Sequence, residues 1–225
     1  MKIVSFESAR VTWLFPIEEF VPAAGANNPS VLALIAQRYN FSIVPTTTTR
    51  EDMNKNGLVF GMGHFQHAGQ HFVVTDFAIY SDGLASVAEK SEWAVAFLED
   101  VVAWVKAEFG FREVSSGIRK LFHSTVVVDF DTPPSKLVQG FNRIADFISS
   151  RAITVFPDKK PMDFARLDFE TDKRALAGQV MVPKFTLERR QGVDFSQERY
   201  FSAAPMTTAD HLATLEEIER VAAGV

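Results

Sequence analysis

LVFGMGHFQHAGQHFVVTDFAIYSDGLASVA, residues 58–88, is the stretch that decides the fold. Its apolar residues are largely β-branched or aromatic, it holds no proline, and it is punctuated at Ala68-Gly69 and at Ser81-Asp82-Gly83. Runs of that composition between turn residues read as strands, and Asp-Gly between apolar runs is a strong hairpin signal. A three-stranded antiparallel meander is therefore expected over 58–88.

Toward the C-terminus, Trp93, Phe97, Val101, Trp104, Val105 and Phe109 recur at helical spacing, and Gly110 supplies a stop, so a helix runs from Ser86 or Ser91 to Phe109. FHSTVVVDFD (122–131) reads as a central strand. Thr132-Pro133-Pro134 ends it and opens a helix with Leu137, Val138, Phe141, Ile144, Ala145 and Ile148 on one face. Strands follow at about 163–170, 178–189 and 197–202. A last helix from Thr207 or Thr208 to Ala223 turns Leu212, Leu215, Ile218 and Ala222 inward.

Toward the N-terminus, Thr49 and Asp52 form a capping-box variant opening a short helix that Gly57 closes. Asn28-Pro29 opens another, with Asn28 as N-cap and Val31, Leu34, Ile35 and Tyr39 as its buried stripe. VPAAGANNP (21–29) is a linker, and residues 2–6 and 10–15 form a strand pair broken at Glu7-Ser8.

Strands joined by hairpins, with helices in blocks, define an α+β fold. The expectation is a largely antiparallel sheet of seven to nine strands with three or four long amphipathic helices packed on it, within one domain, 1–225. GQHFVVTDFAIYSDG (69–83) and GQVMVPKFTLERRQG (178–192) share a Gly-Gln entry and a Gly exit, each within three strands followed by a helix. They raise the reading of duplicated βββα halves, with sub-halves 1–150 and 160–225.

The chain has 225 residues and no cysteine, which excludes disulfides, thiolate zinc sites and cysteine nucleophiles. A net charge of −5 and basic pairs only at Lys159-Lys160 and Arg189-Arg190 argue against nucleic acid. Glu7 and Arg10 interrupt the N-terminal apolar run, and no window is apolar enough to span a bilayer, so a cytoplasmic protein without membrane contact is expected. Twenty-one Phe beside three Tyr and three Trp mark a chain built to bury rings, in its core, against a small apolar ligand or against a partner.

Three constellations carry potential chemistry. With Ala68-Gly69 as a two-residue loop, Gln66 faces His71 and His64 faces Val73, which puts His64 and His71 on one face and His67 on the other. That face also carries Leu58, Phe60, Met62, Phe77 and Ile79, so it reads as the core side. His64 and His71 are two metal ligands at most, without a carboxylate to complete them. Asp129 and Asp131 end an apolar strand on one side, where carboxylates can hold magnesium; Asp131 or Thr132 as a helix cap accounts for the position without catalysis and is the preferred reading, and no phosphate-binding motif accompanies them. Asp168, Glu170 and Asp172 alternate with apolar residues as on a half-exposed strand, eased by Lys173 and Arg174.

No nucleophile elbow or other convergent catalytic set appears, and no cofactor is implied. The expected function is non-enzymatic binding or assembly through protein–protein contacts, homo-oligomeric ones included. The broad stripe around Trp93 and Trp104, and the bare strand at Gly61 and Gly63, are the expected binding surface. The alternative is a divalent-metal-dependent hydrolase using Asp129 and Asp131 with His64 or His71.

Overall fold

A computed structural model describes residues 1–21, 28–46, 49–152, 162–172 and 182–224. Its strands are β1 (Lys2–Leu14), β2 (Leu58–His67), β3 (Gln70–Tyr80), β4 (Gly83–Ala88), β5 (Arg119–Asp129), β6 (Arg166–Phe169), β7 (Phe185–Arg189) and β8 (Arg199–Ala204). The helices are α1 (Ile17–Phe20), α2 (Pro29–Arg38), α3 (Arg50–Lys55), α4 (Ser91–Phe109), α5 (Gln139–Ala152) and α6 (Thr208–Ala223). The fold is α+β, and the eight strands hydrogen-bond in the order β2-β3-β4-β1-β5-β8-β7-β6. Every pair with a described register is antiparallel.

The chain divides into two compact units, and the division runs through the middle of β1 and β5. The first holds Glu7–Ser124 with Pro205–Thr208, the second Met1–Phe6, Thr125–Ala204 and Ala209–Val225. β1 is one continuous strand of 13 residues, not a pair broken at Glu7-Ser8. Two polar residues in succession do not end a strand whose neighbours on both sides supply hydrogen bonds.

The meander of the first unit forms as the turn residues dictate. Ala68 (φ 48°) and Gly69 (φ 78°) give both central residues of the β2–β3 loop positive φ, as a type I′ turn requires. The β3–β4 loop is Ser81-Asp82, and the carbonyls of Ser81 and Asp82 accept from the amides of Ile17 and Phe15. β1 to β4 bury Val11, Trp13, Phe60, Phe77 and Leu84 in one cluster with Phe97, Leu98 and Val101 of α4. Phe97 of α4 sits at the centre, with ring centroids of Tyr39, Phe41, Phe65 and Phe77 at 4.9–6.1 Å.

Asn28 caps α2 by accepting from the Ser30 amide at 3.0 Å, with Pro29 at its first position. Leu32, not Leu34, completes the stripe of Val31, Ile35 and Tyr39; Leu34 is exposed. The Asp52 side chain of the expected capping box lies outside the described residues. Gly110 ends α4 in the left-handed conformation (φ 67°).

In the second unit α6 buries Leu215, Ala222 and His211. His211 Nε2 lies 2.8 Å from Ser202 Oγ, which donates to the Thr186 carbonyl at 2.8 Å. Ser86 holds the same place in β4 that Ser202 holds in β8, fourth from the strand start, and is also fully buried. Its hydroxyl has no hydrogen-bond partner among the described residues. An unpartnered buried hydroxyl is a liability, whereas deleting a bonded one orphans its partners. Ser86→Ala is therefore expected to leave stability unchanged or raise it by up to about 1 kcal/mol, and Ser202→Ala to lower it by about 1–2 kcal/mol, in urea melts of the two variants.

Candidate binding surface

The register of the β2–β3 hairpin is the one expected, with Gln66 opposite His71 and His64 opposite Val73. The histidine face is not. Met62 adopts φ 54° and the β3–β4 register shifts between Val74 and Asp76, so the pleat changes sides in mid-hairpin. Phe60 and Phe77 face the core on one side of the change, Phe65 and Phe72 on the other. His64 and His71 are thereby turned out to solvent on the opposite face. Among the described residues no three His, Asp or Glu side chains are grouped as a metal site.

Gly61 and Gly63 fall on opposite faces for the same reason. Ile43 makes an antiparallel bridge to Gly61, with N–H···O distances of 3.1 and 3.0 Å, and its side chain lies over Gly61 on the helix-free face. Phe41 lies over Gly63 on the helix side, where a Cβ would come within 2.3 Å of the ring. Residues 41–43 thus wrap round the outer edge of β2, and Pro45, which has no N–H to donate, ends the wrapping. The bare strand is covered by the chain's own segment.

Trp93 and Trp104 are half-buried in the first unit. Trp93 stacks on Phe72 at 5.1 Å under the Lys90 ammonium. Trp104 packs edge-on to Phe109 and under the Arg38 guanidinium, while Asp100 accepts from the Tyr39 hydroxyl at 2.6 Å and from Arg38 at 3.1 Å. The breadth of the α4 stripe is used by α2 and by the residues that follow Gly110.

Asp129 commits both carboxylate oxygens to Arg199, at 2.7 and 2.9 Å, and that pairing holds its carboxyl below the usual range. Asp131 is 84% exposed and accepts from the Met1 ammonium at 2.7 Å. The amides of Asp131 and Thr132 donate to Glu219 Oε1 at 2.7 and 3.2 Å. Asp168 meets Arg166 at 2.8 Å and Lys184 at 2.9 Å; burial raises its carboxyl, but these bonds prevail and hold it at about 2. Lys173 and Arg174 lie outside the described residues.

One cluster had no sequence signal. Arg189, expected at the end of a strand and noted only as a basic pair with Arg190, is buried in β7 and donates to the carbonyls of Phe164 (2.8 Å) and Phe195 (3.0 Å) and to Asp163 (3.1 Å) and Glu198 (3.3 Å). Its guanidinium lies 4.3 Å from the Phe195 ring centroid and 5.1 Å from that of Tyr200.

What remains open in the first unit is an apolar surface around the covered Gly61. Ile43, Val44, Val59, Met62 and Val73 are 37–57% exposed along β2, its neighbour β3 and the wrapping segment. His64 lies directly across from Val73 with His71 beyond it, and the exposed Asp76 lies directly across from Gly61, within this surface. Compared with known proteins, the chain matches no family model and no curated relative. No helix among the described residues is long and apolar enough to cross a membrane.

Proposed function

We propose that this is a non-enzymatic binding or assembly protein that acts through protein–protein contacts, and that the surface around Gly61 pairs with the same surface of a second copy. The observation that carries the reading is the group of five exposed apolar side chains, Val59, Met62 and Val73 on β2 and β3 and Ile43 and Val44 on the segment that wraps the edge of β2. Asp76 sits in this surface across from Gly61, and a twofold midway between Gly61 and His64 turns Asp76 of each copy toward His64 of the other, so that two acidic chains meet without setting like charges together.

Magnitudes set the strength. Full burial of such side chains removes about 60–120 Å² each, taking about 1.5–3 kcal/mol at about 25 cal/mol/Å². Half-exposed, the five offer about 150–300 Å² per copy, below the roughly 450 Å² apolar share of a standard interface of about 800 Å² per partner. The association is therefore weak and concentration-dependent. A Val59→Glu, Met62→Glu double variant is expected to sediment as a monomer at every concentration while melting like the parent. If variant and parent sediment alike, the assignment of this surface is wrong.

The duplicated βββα reading takes a fuller form, β-α-βββ-α twice. Its support is the strand order, which read outward from β1 is β1-β4-β3-β2 and from β5 is β5-β8-β7-β6. A second support is reciprocal capping: the Ser91 amide donates to Thr208 Oγ1 at 3.0 Å and the Thr208 amide to Ser91 Oγ at 2.8 Å, each at the first residue of its helix.

A further inference from the structure

Along the cleft between α5 and β6 in the second unit, Ile144 and Ile148 are about half exposed, and the two charges in the wall, Asp163 and Arg166, are already paired. The Phe141 side chain lies outside the described residues. The surface around Gly61 in the first unit differs, because it holds two exposed ionisable side chains: Asp76 of β3, across from Gly61, and His64 of β2, across from Val73. Among the described residues neither side chain makes an ion pair or a hydrogen bond. A carboxylate in an apolar patch is stable while it faces water; covered by a second copy, it must meet a cation or be buried unpaired.

His64 stands three positions along β2 from Gly61, and Val73 three positions along β3 from Asp76, so the two cross-strand rows are about 10 Å apart. A twofold midway between them lays the Asp76 row of one copy over the His64 row of the other, offset by one strand spacing of about 4.8 Å. Facing sheets stand about 10 Å apart, a gap that an imidazole and a carboxylate span together. The other charges nearby are placed or engaged elsewhere. His71 comes over the row of Val59 and Ala78, which holds no carboxylate. Arg10, two strands from Asp76 across Val87, donates to the Tyr80 hydroxyl at 3.3 Å, and Lys55 and Glu51 of α3 pair with one another. Glu89 lies beyond the end of β4, and the Lys90 ammonium lies over the Trp93 ring. The covering segment, residues 41–44, carries no charge.

We infer that self-association through this surface is switched by pH: a protonated His64 gives the Asp76 of the other copy its cation, in two symmetric pairs, and a neutral His64 leaves both carboxylates covered without one. The inference rests on the self-association reading and adds its regulation. Imidazole is the side chain that changes charge between about pH 5 and pH 8. Because the proton binds the dimer better than the monomer, the dimer must tighten as pH falls through that range and loosen as it rises.

The test is sedimentation equilibrium of the full chain at about pH 6 and about pH 8 in the same salt. The dissociation constant of the parent is expected to rise roughly tenfold from the lower pH to the higher, the effect of two half-buried pairs lost together. His64→Gln and Asp76→Asn should each cut that ratio to roughly twofold, the remainder that an acidic chain shows as its overall repulsion changes. The double variant should cut it no further, since both substitutions break the same pair. His64→Lys should hold the dimer at nearly equal strength at both pH values, and His67→Gln, on the other face of the hairpin, should keep the ratio of the parent. These side chains are exposed, so each variant should melt like the parent. A dimer equally strong at both pH values, or a tenfold ratio that survives His64→Gln, overturns the inference and leaves the self-association reading standing. A parent that stays monomeric at both pH values overturns the two together.

Discussion

Gly83→Ala is expected to lower the stability of the protein by about 3–5 kcal/mol, the largest effect of a single added methyl group among the described glycines. Gly83 opens β4 at φ 149°, and a Cβ there would stand 1.9 Å from the Trp13 carbonyl oxygen. Neither atom can yield: Gly83 is paired with Leu14 on one side and Tyr80 on the other, and Trp13 with Leu84. The cost thus combines a backbone conformation closed to L-residues with a clash against backbone. Gly69→Ala is the control, since Gly69 has φ 78° with nothing within 4 Å of its Cβ position. It should cost only about 1–2 kcal/mol. Urea melts showing equal losses for the two would contradict the close approach of β1 to β4.

The second large effect is expected at Arg189. Arg189→Leu removes a buried cation that four acceptors share, and should cost about 3 kcal/mol. The low end of the range for broken buried ion pairs applies, because Asp163 is partly exposed and water can replace its lost partner. Arg189→Lys should recover only part of the loss, since one ammonium cannot reach two carbonyls and two carboxylates from a single plane. Full recovery by lysine, read by thermal melts, would mean that charge alone matters there.

Much of the first unit was legible because local chemistry and tertiary structure agree in it. Ala68-Gly69, Asn28-Pro29 and Gly110 act where their backbone preferences place them, and the hairpin register follows from a two-residue loop. The faces were not legible. One residue with a left-handed φ, Met62, reverses the side on which every later side chain of β2 emerges, and methionine carries no signal for that conformation. His64, His71 and Gly63 therefore all lie on the opposite side from the one alternation assigns.

The helical period of α5 likewise reports an apolar face without reporting what covers it; Ile144 and Ile148 read as core and line a cleft. Arg189 was missed for a related reason. A buried arginine is recognisable by its acceptors, and these come from residues 163–164, 195 and 198, which only the fold brings together. Asp129 and Asp131 show the converse case: expected on one side of a strand, they have separate partners, Arg199 and the Met1 ammonium, and β5 ends at Asp129.

The measurement that bears most directly on the proposed function is the molar mass of the unmodified protein by sedimentation equilibrium, followed from about 10 to about 500 µM to span a weak association. Pairing through the surface around Gly61 predicts a mass that rises with concentration from the 25.1 kDa of one chain toward twice that value and no further, because a twofold contact closes on itself. A mass that stays at one chain throughout, or one that climbs past two chains without limit, would contradict it.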